Sequence, residues 1–250
     1  MPIRCVVFDI DDTLVPWQTV AHWQWAWRPQ GPVLNPRRVQ SILRRAVRQW
    51  DRRRWKVVTG ASPPPDLDQY RAHLRETLNE IAGHPLPPPE VEAVVDRFLR
   101  PTGGLEPFPD VLPALAVLSQ RGLLTCGATD LPRPVMDWAL RRVGLPPELL
   151  RYSGDDPERL PARAAFRRLL TVVGTKPAET LYVGDLFWSD VRAAARAGLS
   201  SVLLDRWNGL DRVASSRIAS LAELPAYLDG LGQRGPEADA TEPVPLEGPD

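Results

Sequence analysis

The chain has 250 residues, 43% hydrophobic and 25% charged, which is typical of a soluble protein with one large domain or one domain carrying an insertion. Its formal net charge is zero, so its overall charge favours neither a nucleic-acid nor a membrane partner, and it lacks the roughly 18-residue apolar run that spans a bilayer. With only Cys5 and Cys126, a disulfide scaffold is not expected, and we expect a cytoplasmic location.

The first predicted element is a buried strand at the N-terminus. Cys5, Val6, Val7 and Phe8 form a short apolar run that ends at the acid Asp9. No charged-then-apolar leader precedes this run, so we expect no signal peptide.

A long helical block follows, from Pro16 to about Leu105. Asn35 and Pro36 are a cap-and-proline helix start, and the apolar face that follows runs from Val39 to Trp50. Two further helical faces span 67–81 and 91–99. The short run Lys56-Val57-Val58 is the one weak strand candidate inside the block.

After Gly103 and Gly104 the pattern alternates between helix and strand. Strands are predicted at 123–128, 181–183 and 201–204, and helices at 110–120, 134–143, 161–173 and 190–197. Gly144 and Gly174 follow two of these helices as C-cap signals. Such alternation predicts an α/β fold, a Rossmann-like three-layer core with a parallel sheet and an inserted all-helical domain. The expected division is a core of 1–15 and 105–230, an insertion of 16–104, and a disordered acidic, Pro-rich tail of 231–250.

Polar residues follow three of the predicted strands. They are Asp9 with Asp11, Thr129 with Asp130, and Gly184 with Asp185. The carboxyl ends of parallel strands share one edge of the sheet, where ligands bind. Four carboxylates gathered there, those of Asp9, Asp11, Asp185 and Asp190, would repel one another without a hard cation among them. Ligands of oxygen alone favour Mg²⁺.

These residues also carry a family resemblance. The run from Phe8 to Leu14 resembles the first motif, Asp-x-Asp-x-Thr-Leu, of the haloacid dehalogenase-like (HAD) hydrolase superfamily. Thr129 resembles the second motif, and 181–185 with Asp190 resembles the fourth. Residues 107–111, which precede a predicted helix, resemble the segment by which members of the family enter the core after a helical cap. The resemblance covers 1–15 and 105–230 and points to the helical-cap (C1-type) phosphatases.

The resemblance implies a role for each matching residue. Asp9 would be the catalytic nucleophile that forms an aspartyl-phosphate, and Asp11 would protonate the leaving oxygen and then activate water. Thr129 would bind the phosphate, and Mg²⁺ would be held by Asp9, Asp11, Asp185 and Asp190. Haloacid dehalogenases lack an acid at the position of Asp11, which favours a phosphate ester over a carbon–halogen bond. The expected activity is Mg²⁺-dependent hydrolysis of a small phosphorylated metabolite.

One motif departs from the family. The family places a lysine at its third motif, ahead of a Pro-x-x-x-x-Phe pattern, and this chain has Leu160 there, before Pro161 and Phe166. The adjacent Arg159 is the candidate replacement for binding phosphate. Arginine supplies the charge but not the point geometry of lysine.

Several alternatives stay open. The chain could be a phosphomutase of the same superfamily, or a weakened member that binds a phosphorylated ligand or a protein partner. From Arg28 to Lys56 there are ten bases and one acid, which fit either a solvated helix face or a surface that steers anions or contacts nucleic acid. The tryptophans between Trp17 and Trp27 fit either helix packing or an aromatic wall of the site. Neither the substrate's identity nor an oligomeric state is indicated.

Overall fold

The computed structural model describes residues 2–28, 31, 33–99, 106–131, 133–142, 149–152, 154, 159–207 and 216–233. Its strands are β1 (Cys5–Asp9), β2 (Leu124–Ala128), β3 (Leu150–Tyr152), β4 (Thr180–Gly184), β5 (Ser200–Leu204) and β6 (Arg217–Ile218). Its α-helices are α1 (Val20–Trp27), α2 (Pro36–Val58), α3 (Leu67–Ala82), α4 (Pro88–Leu99), α5 (Val111–Gln120), α6 (Arg133–Arg142), α7 (Arg163–Val173), α8 (Ala193–Arg196) and α9 (Leu224–Gln233). A π-helix, Phe187–Arg192, directly precedes α8, and short 3₁₀ turns occupy Pro177–Glu179 and Leu221–Glu223.

The six strands form one parallel sheet in the order β3-β2-β1-β4-β5-β6. The strand order reverses between β1 and β4, because the chain first builds outward through β2 and β3 and then returns to the other side of β1. In an open α/β sheet this switch point opens a crevice at the carboxyl ends of the strands. The crevice is therefore expected between the ends of β1, β2 and β4.

The sheet has a hydrophobic core on each face. Along β1, Val6 and Phe8 belong to one buried cluster, while Cys5 and Val7 belong to the other, as the alternation of strand side chains requires. Helix α5 packs on the first face and α7 and α8 on the second. Both cysteines are free and buried. These observations confirm the predicted Rossmann-like three-layer α/β core.

Between β1 and β2 the chain forms the helices α1 to α4 before it reaches α5. Helix α2 begins at the cap Asn35, whose side chain accepts from the backbone N–H of Arg38. Its buried residues are Val39, Ile42, Leu43, Ala46, Trp50, Asp51, Arg54, Trp55 and Val57. No helix in the described ranges is both long and apolar enough to cross a bilayer. The expected all-helical insertion thus has its counterpart in the structure, apart from the undescribed residues within 16–104.

Some element predictions need correction. Lys56, Val57 and Val58 form the last turn of α2 and not a strand, because the helical apolar face of α2 continues through Val57. Helix α9 runs to Gln233, and its apolar residues pack against the first core cluster. Gly174 caps α7 in the left-handed conformation, as predicted. Residues 103–104, Gly144 and the tail from 234 to 250 lie outside the described residues.

Candidate active site

The sheet register brings three of the predicted site residues to one edge. Asp9 ends β1 opposite Ala128, which ends β2, and Phe8 of β1 pairs with Val183 of β4. The next residues along β2 and β4 therefore extend beside Asp9. These include Thr129, which directly follows β2, and Asp185, which directly follows β4. Parallel pairing alone brings together residues that are more than a hundred positions apart in the chain.

The loop after β1 turns back tightly on itself. Asp12 has a φ of 58°, a left-handed conformation that aspartate tolerates better than most residues. The Asp12 N–H donates to the Val15 carbonyl at 2.7 Å, and both Asp12 carboxylate oxygens accept from the Gln18 N–H. This turn holds the Asp11 side chain beside β2, where its Oδ2 accepts from the Thr129 hydroxyl at 3.2 Å.

A fourth acid enters from the π-helix. Asp190 is fully buried, and its Oδ2 accepts from the Leu186 N–H at 3.1 Å. A Cβ on Gly184 would lie 2.6 Å from both the Cβ and Oδ2 of Asp190, so only glycine allows this approach. The Gly-Asp pair at the end of β4 thus leaves room for Asp190 and also supplies Asp185. π-Helical turns occur often at functional sites.

Three of these carboxylates fit a hard divalent cation. Asp9, Asp185 and Asp190 each offer an oxygen within 4.8 Å of the others. Asp190 Oδ1 is buried without a hydrogen-bond partner, although Arg54 lies 3.7 Å away, so this oxygen has a free lone pair for a metal. Oxygen ligands of this kind suit Mg²⁺. Asp11, which the resemblance included among the metal ligands, is not part of this group of three.

Burial and mutual repulsion raise the pKa of each acid in the cluster. Desolvation raises the pKa of Asp9 well above its ordinary value, and the charges of Asp190, Asp11 and Asp185 raise it further. Desolvation is also the largest cause for Asp185, followed by the charge of Asp12. It raises the pKa of Asp190 to about 7, although the charge of Arg54 opposes the rise. A nearby cation would offset this repulsion.

The acids line a pocket with a volume of about 50 Å³. Its acidic wall consists of Asp9, Asp11, Asp12, Asp130 and Asp185. The opposite wall includes Trp17, Gln18, Trp50, Arg54, Tyr70 and His73, which lie in the insertion between β1 and β2. The Tyr70 hydroxyl accepts from the indole N–H of Trp17 at 3.2 Å and from the Gln18 amide at 3.0 Å. The pocket is thus closed on one side by the helical insertion.

The insertion also contributes a buried cation that the sequence analysis missed. Arg54 of α2 is 4% exposed and approaches two acids of the core, Asp130 at 3.5 Å and Asp190 at 3.7 Å. A signal for it was present in the sequence. Arg54 lies four positions after Trp50, on the apolar face of α2, where a charged residue faces the core and not the solvent.

The same turn of α2 carries Asp51, a second residue that the sequence analysis did not single out. Its carboxylate accepts from the backbone N–H of Ser189 at 2.8 Å and of Trp188 at 3.3 Å. These two N–H groups lie in the first turn of the π-helix that carries Asp190. Asp51 therefore connects the insertion directly to the loop that positions a predicted metal ligand.

Arg159, the predicted phosphate-binding residue, is not among the residues lining the pocket. It is half-buried just before Leu160. Leu160 is 2% exposed and packs with Phe166 and Tyr182 in the second core cluster. The position that carries a lysine in the family is thus occupied here by a core residue, and the positive charge beside the acids belongs to Arg54.

The structure also bears on the tryptophans and the basic helix. Trp17 and Trp23 are fully buried, and each packs against Phe98, with ring centroids 5.8 Å and 4.4 Å away. Trp17 also lines the pocket, so this residue takes part both in helix packing and in an aromatic wall of the site. Most bases of α2 lie on its exposed face, and two of them pair with acids of α3, Arg45 with Glu80 and Arg53 with Glu76.

Comparison with known proteins agrees with this geometry. Residues 3–198 match the family model of haloacid dehalogenase-like hydrolases. The chain is 27% identical over 214 residues to the glyceraldehyde 3-phosphate phosphatase of Methanopyrus kandleri, covering 82% of this chain and 84% of that protein. It is 33% identical over 139 residues to the phosphoserine phosphatase of Thermus thermophilus, covering 53% of each.

Among solved structures, the magnesium-bound HAD-hydrolase YfnB of Bacillus subtilis superposes with a TM-score of 0.71. The superposition covers 92% of this chain and all of that chain at 18% identity, which shows a shared fold. The family model spans most of the described core, including β1, β2, β4 and the π-helix. The chain belongs to the haloacid dehalogenase-like hydrolase family.

Proposed function

We propose that the chain is a Mg²⁺-dependent phosphatase that hydrolyses a small phosphate monoester through an aspartyl-phosphate at Asp9. The observation that carries the proposal is the pocket shared by Asp9, Asp11 and Asp185. Two of these acids, Asp9 and Asp185, also form with Asp190 a group whose carboxylate oxygens lie within 4.8 Å of one another. The phosphatase names of two relatives support the same class of substrate. The proposal includes a core of 1–15 and 105–230 and a helical cap of 16–104.

In the first step an Asp9 oxygen attacks phosphorus, and the bond from phosphorus to the ester oxygen breaks. Asp11 gives its proton to the departing oxygen, for which its raised pKa is suited. In the second step Asp11 takes a proton from water, the water oxygen attacks phosphorus, and the bond to Asp9 breaks. Inorganic phosphate leaves, and both carboxyl groups return to their starting states.

The other residues of the site orient these two acids. The Thr129 hydroxyl donates to Asp11 and can turn toward a phosphate oxygen, because a hydroxyl rotates to suit its partner. Asp9, Asp185 and Asp190 would hold Mg²⁺. When bound, Mg²⁺ would supply positive charge that offsets the negative charge of the phosphoryl group and the acids.

The pocket favours a substrate with a small, uncharged organic part. Apart from Arg54, the described residues of the insertion that line the pocket carry no charge at neutral pH, since burial lowers the pKa of His73 to about 4. Gln18 and Tyr70 offer hydrogen bonds to hydroxyl or carbonyl groups. We therefore expect glyceraldehyde 3-phosphate to be hydrolysed faster than phosphoserine, whose ammonium and carboxylate groups would both lose hydration against this largely uncharged wall.

The test is phosphate release from a panel of phosphorylated metabolites, with Mg²⁺ and with EDTA. The panel contains glyceraldehyde 3-phosphate, phosphoserine and a generic aryl phosphate. We expect release with Mg²⁺ only, and its loss in Asp9→Asn but not in the control Asp68→Asn, an exposed residue of α3. Turnover in EDTA, or full activity in Asp9→Asn, would refute the proposal. Isomerisation of a sugar phosphate without phosphate release would identify a mutase instead.

A further inference from the structure

Among the residues that the structure describes, one cationic side chain, that of Arg54, lines the acidic pocket. Five aspartates line the pocket, and the neighbouring Asp190 adds a sixth carboxylate. A phosphate monoester brings further negative charge into this space. Three of these carboxylates are accounted for by the proposed cation. The incoming phosphoryl oxygens still need a positively charged hydrogen-bond donor from the protein.

The hydrogen-bonding capacity of Arg54 is largely unused. Its Nε lies 3.5 Å from Asp130 Oδ2, and its Nη2 lies 3.7 Å from Asp190 Oδ1. Both separations exceed the 2.7–3.2 Å of a usual N–H···O bond. The Nε group is buried with no hydrogen-bond partner among the described residues, which is costly unless a ligand satisfies it. A buried guanidinium with free donors in a pocket wall is suited to an anionic oxygen.

The third-motif position cannot provide this charge. Leu160 is packed in the core with Phe166 and Tyr182, and its neighbour Arg159 is not part of the pocket wall. We propose that Arg54 binds the transferring phosphoryl group and supplies the positive charge that position 160 lacks. This inference rests on the proposed function, and it assigns the cation of the site to the helical insertion instead of the core.

The packing of α2 explains how Arg54, a residue outside the core, can bind the phosphoryl group. Asp51, one turn before Arg54, accepts from the backbone of Ser189 and Trp188 at the start of the π-helix. Trp55 packs on Trp188, with ring centroids 4.9 Å apart. One turn of α2 is therefore attached to the element that carries Asp190, and this attachment fixes Arg54 over the acids. The position of this positive charge in the pocket therefore depends on the packing of α2 against the core.

The variants Arg54→Met and Arg54→Lys test the proposal, with Arg53→Met as the matched control. Arg53 is the adjacent base of α2, exposed and paired with Glu76 at 3.5 Å. We expect Arg54→Met to lower kcat/KM by about 10²- to 10³-fold, as for the loss of a donor to developing charge. Free guanidinium ion should restore part of this activity, while Arg53→Met should match the wild type.

Calorimetric titration with inorganic phosphate in the presence of Mg²⁺ gives a readout independent of turnover. We expect measurable binding by the wild type and by Arg53→Met, and a loss of affinity in Arg54→Met. Unchanged phosphate affinity and kcat/KM in a folded Arg54→Met would overturn the inference while leaving the phosphatase proposal intact. Arg54-dependent phosphate binding without hydrolysis of any substrate would support the inference and contradict the phosphatase proposal. A wild type that does not bind phosphate contradicts the inference as well.

If circular dichroism shows that Arg54→Met does not fold, NMR of the wild type tests whether Arg54 contacts phosphate. The Nε–H signal of Arg54, assigned by its absence in Arg54→Lys, should shift when inorganic phosphate is added with Mg²⁺. A signal that stays in place while phosphate binds would overturn the assignment.

Discussion

Replacing Asp190 with asparagine should stabilise the metal-free protein and weaken its response to Mg²⁺. Asp190 is fully buried, and desolvation raises its pKa from 3.8 to about 7. Each pKa unit corresponds to about 1.36 kcal/mol, so ionised Asp190 costs the folded state about 4 kcal/mol. Asparagine removes this cost and keeps an acceptor for the Leu186 N–H. Because the pKa of about 7 already includes the attraction to Arg54, about 4 kcal/mol is the expected gain above pH 7.

The pH dependence of this stabilisation follows from the upward shift of the Asp190 pKa. The pKa in the folded state is higher than in the unfolded state, so the penalty is absent below about pH 4, where both states are protonated. It grows as the pH rises and is complete above about pH 7, where the folded state must ionise as well. The advantage of Asp190→Asn in EDTA should therefore increase from about pH 5 to about pH 8.

Urea unfolding in EDTA and in Mg²⁺ at these two pH values is the assay. The wild type should gain about 2.7 kcal/mol at a Mg²⁺ concentration of 100 times Kd, and Asp190→Asn should gain less. The control is Asp68→Asn, at an exposed position of α3. The nearby Asp66 is not used, because its side chain caps α3. The reasoning would be refuted if Asp190→Asn destabilised the EDTA form equally at both pH values and bound Mg²⁺ like the wild type.

Three further changes test other parts of the structure. Asp51→Ala should lower the free energy of unfolding by about 2 kcal/mol or more, since it leaves two backbone N–H groups of the π-helix without an acceptor, and urea unfolding measures this loss. His22 is stacked on Phe98, and burial lowers its pKa to about 4. The free energy of unfolding should therefore not depend on His22 above about pH 6.5, and should fall by about 3 kcal/mol on its account as the pH approaches 4. His22→Phe should remove the His22 share of this fall in unfolding free energy, while the share of His73, whose pKa burial also lowers to about 4, should remain. Thr129→Val removes the donor to Asp11 and should lower kcat about 10- to 100-fold in a phosphate-release assay.

Each of these changes has a matched control. Asp51→Asn keeps an acceptor and should lose less stability than Asp51→Ala; equal losses would argue against the hydrogen bonds. His84→Phe, at an exposed position, is the matched control, and the same loss of pH dependence in this variant would contradict the assignment of the effect to His22. Thr129→Ser keeps the hydroxyl and should retain most of the activity, so equal kcat in the serine and valine variants would contradict the assigned role.

Much of the fold and the acidic site could be predicted because both depend on local patterns. Apolar runs that end in an acid or a hydroxyl defined β1, β2 and β4, and a single topological rule brought their ends together. The helical periodicity of α2 was equally visible. Gly184 could be linked to the site only by motif, since its packing against Asp190 is a contact between elements.

Arg54 and Asp51 were missed because their partners are remote in sequence. Asp51 bonds to a residue 138 positions later, and no periodicity within α2 indicates that partner. A charged pair on the apolar side of a helix was the available signal, but the surrounding basic residues obscured it. Residues 190–192 of the π-helix fall within a predicted ordinary helix, and 187–189 within no predicted element, since an i→i+5 pattern leaves no trace in hydrophobic spacing.

The most direct test of the account is to trap the phosphoryl group on the enzyme. Asp11→Asn should slow hydrolysis of the intermediate, because that step needs a carboxylate to take a proton from water. Mixed with substrate and Mg²⁺ and quenched in acid, this variant should give a phosphorylated peptide with the modification on Asp9 by mass spectrometry. Phosphate release at the wild-type rate with no modified Asp9 peptide, or modification of a different residue, would contradict the account.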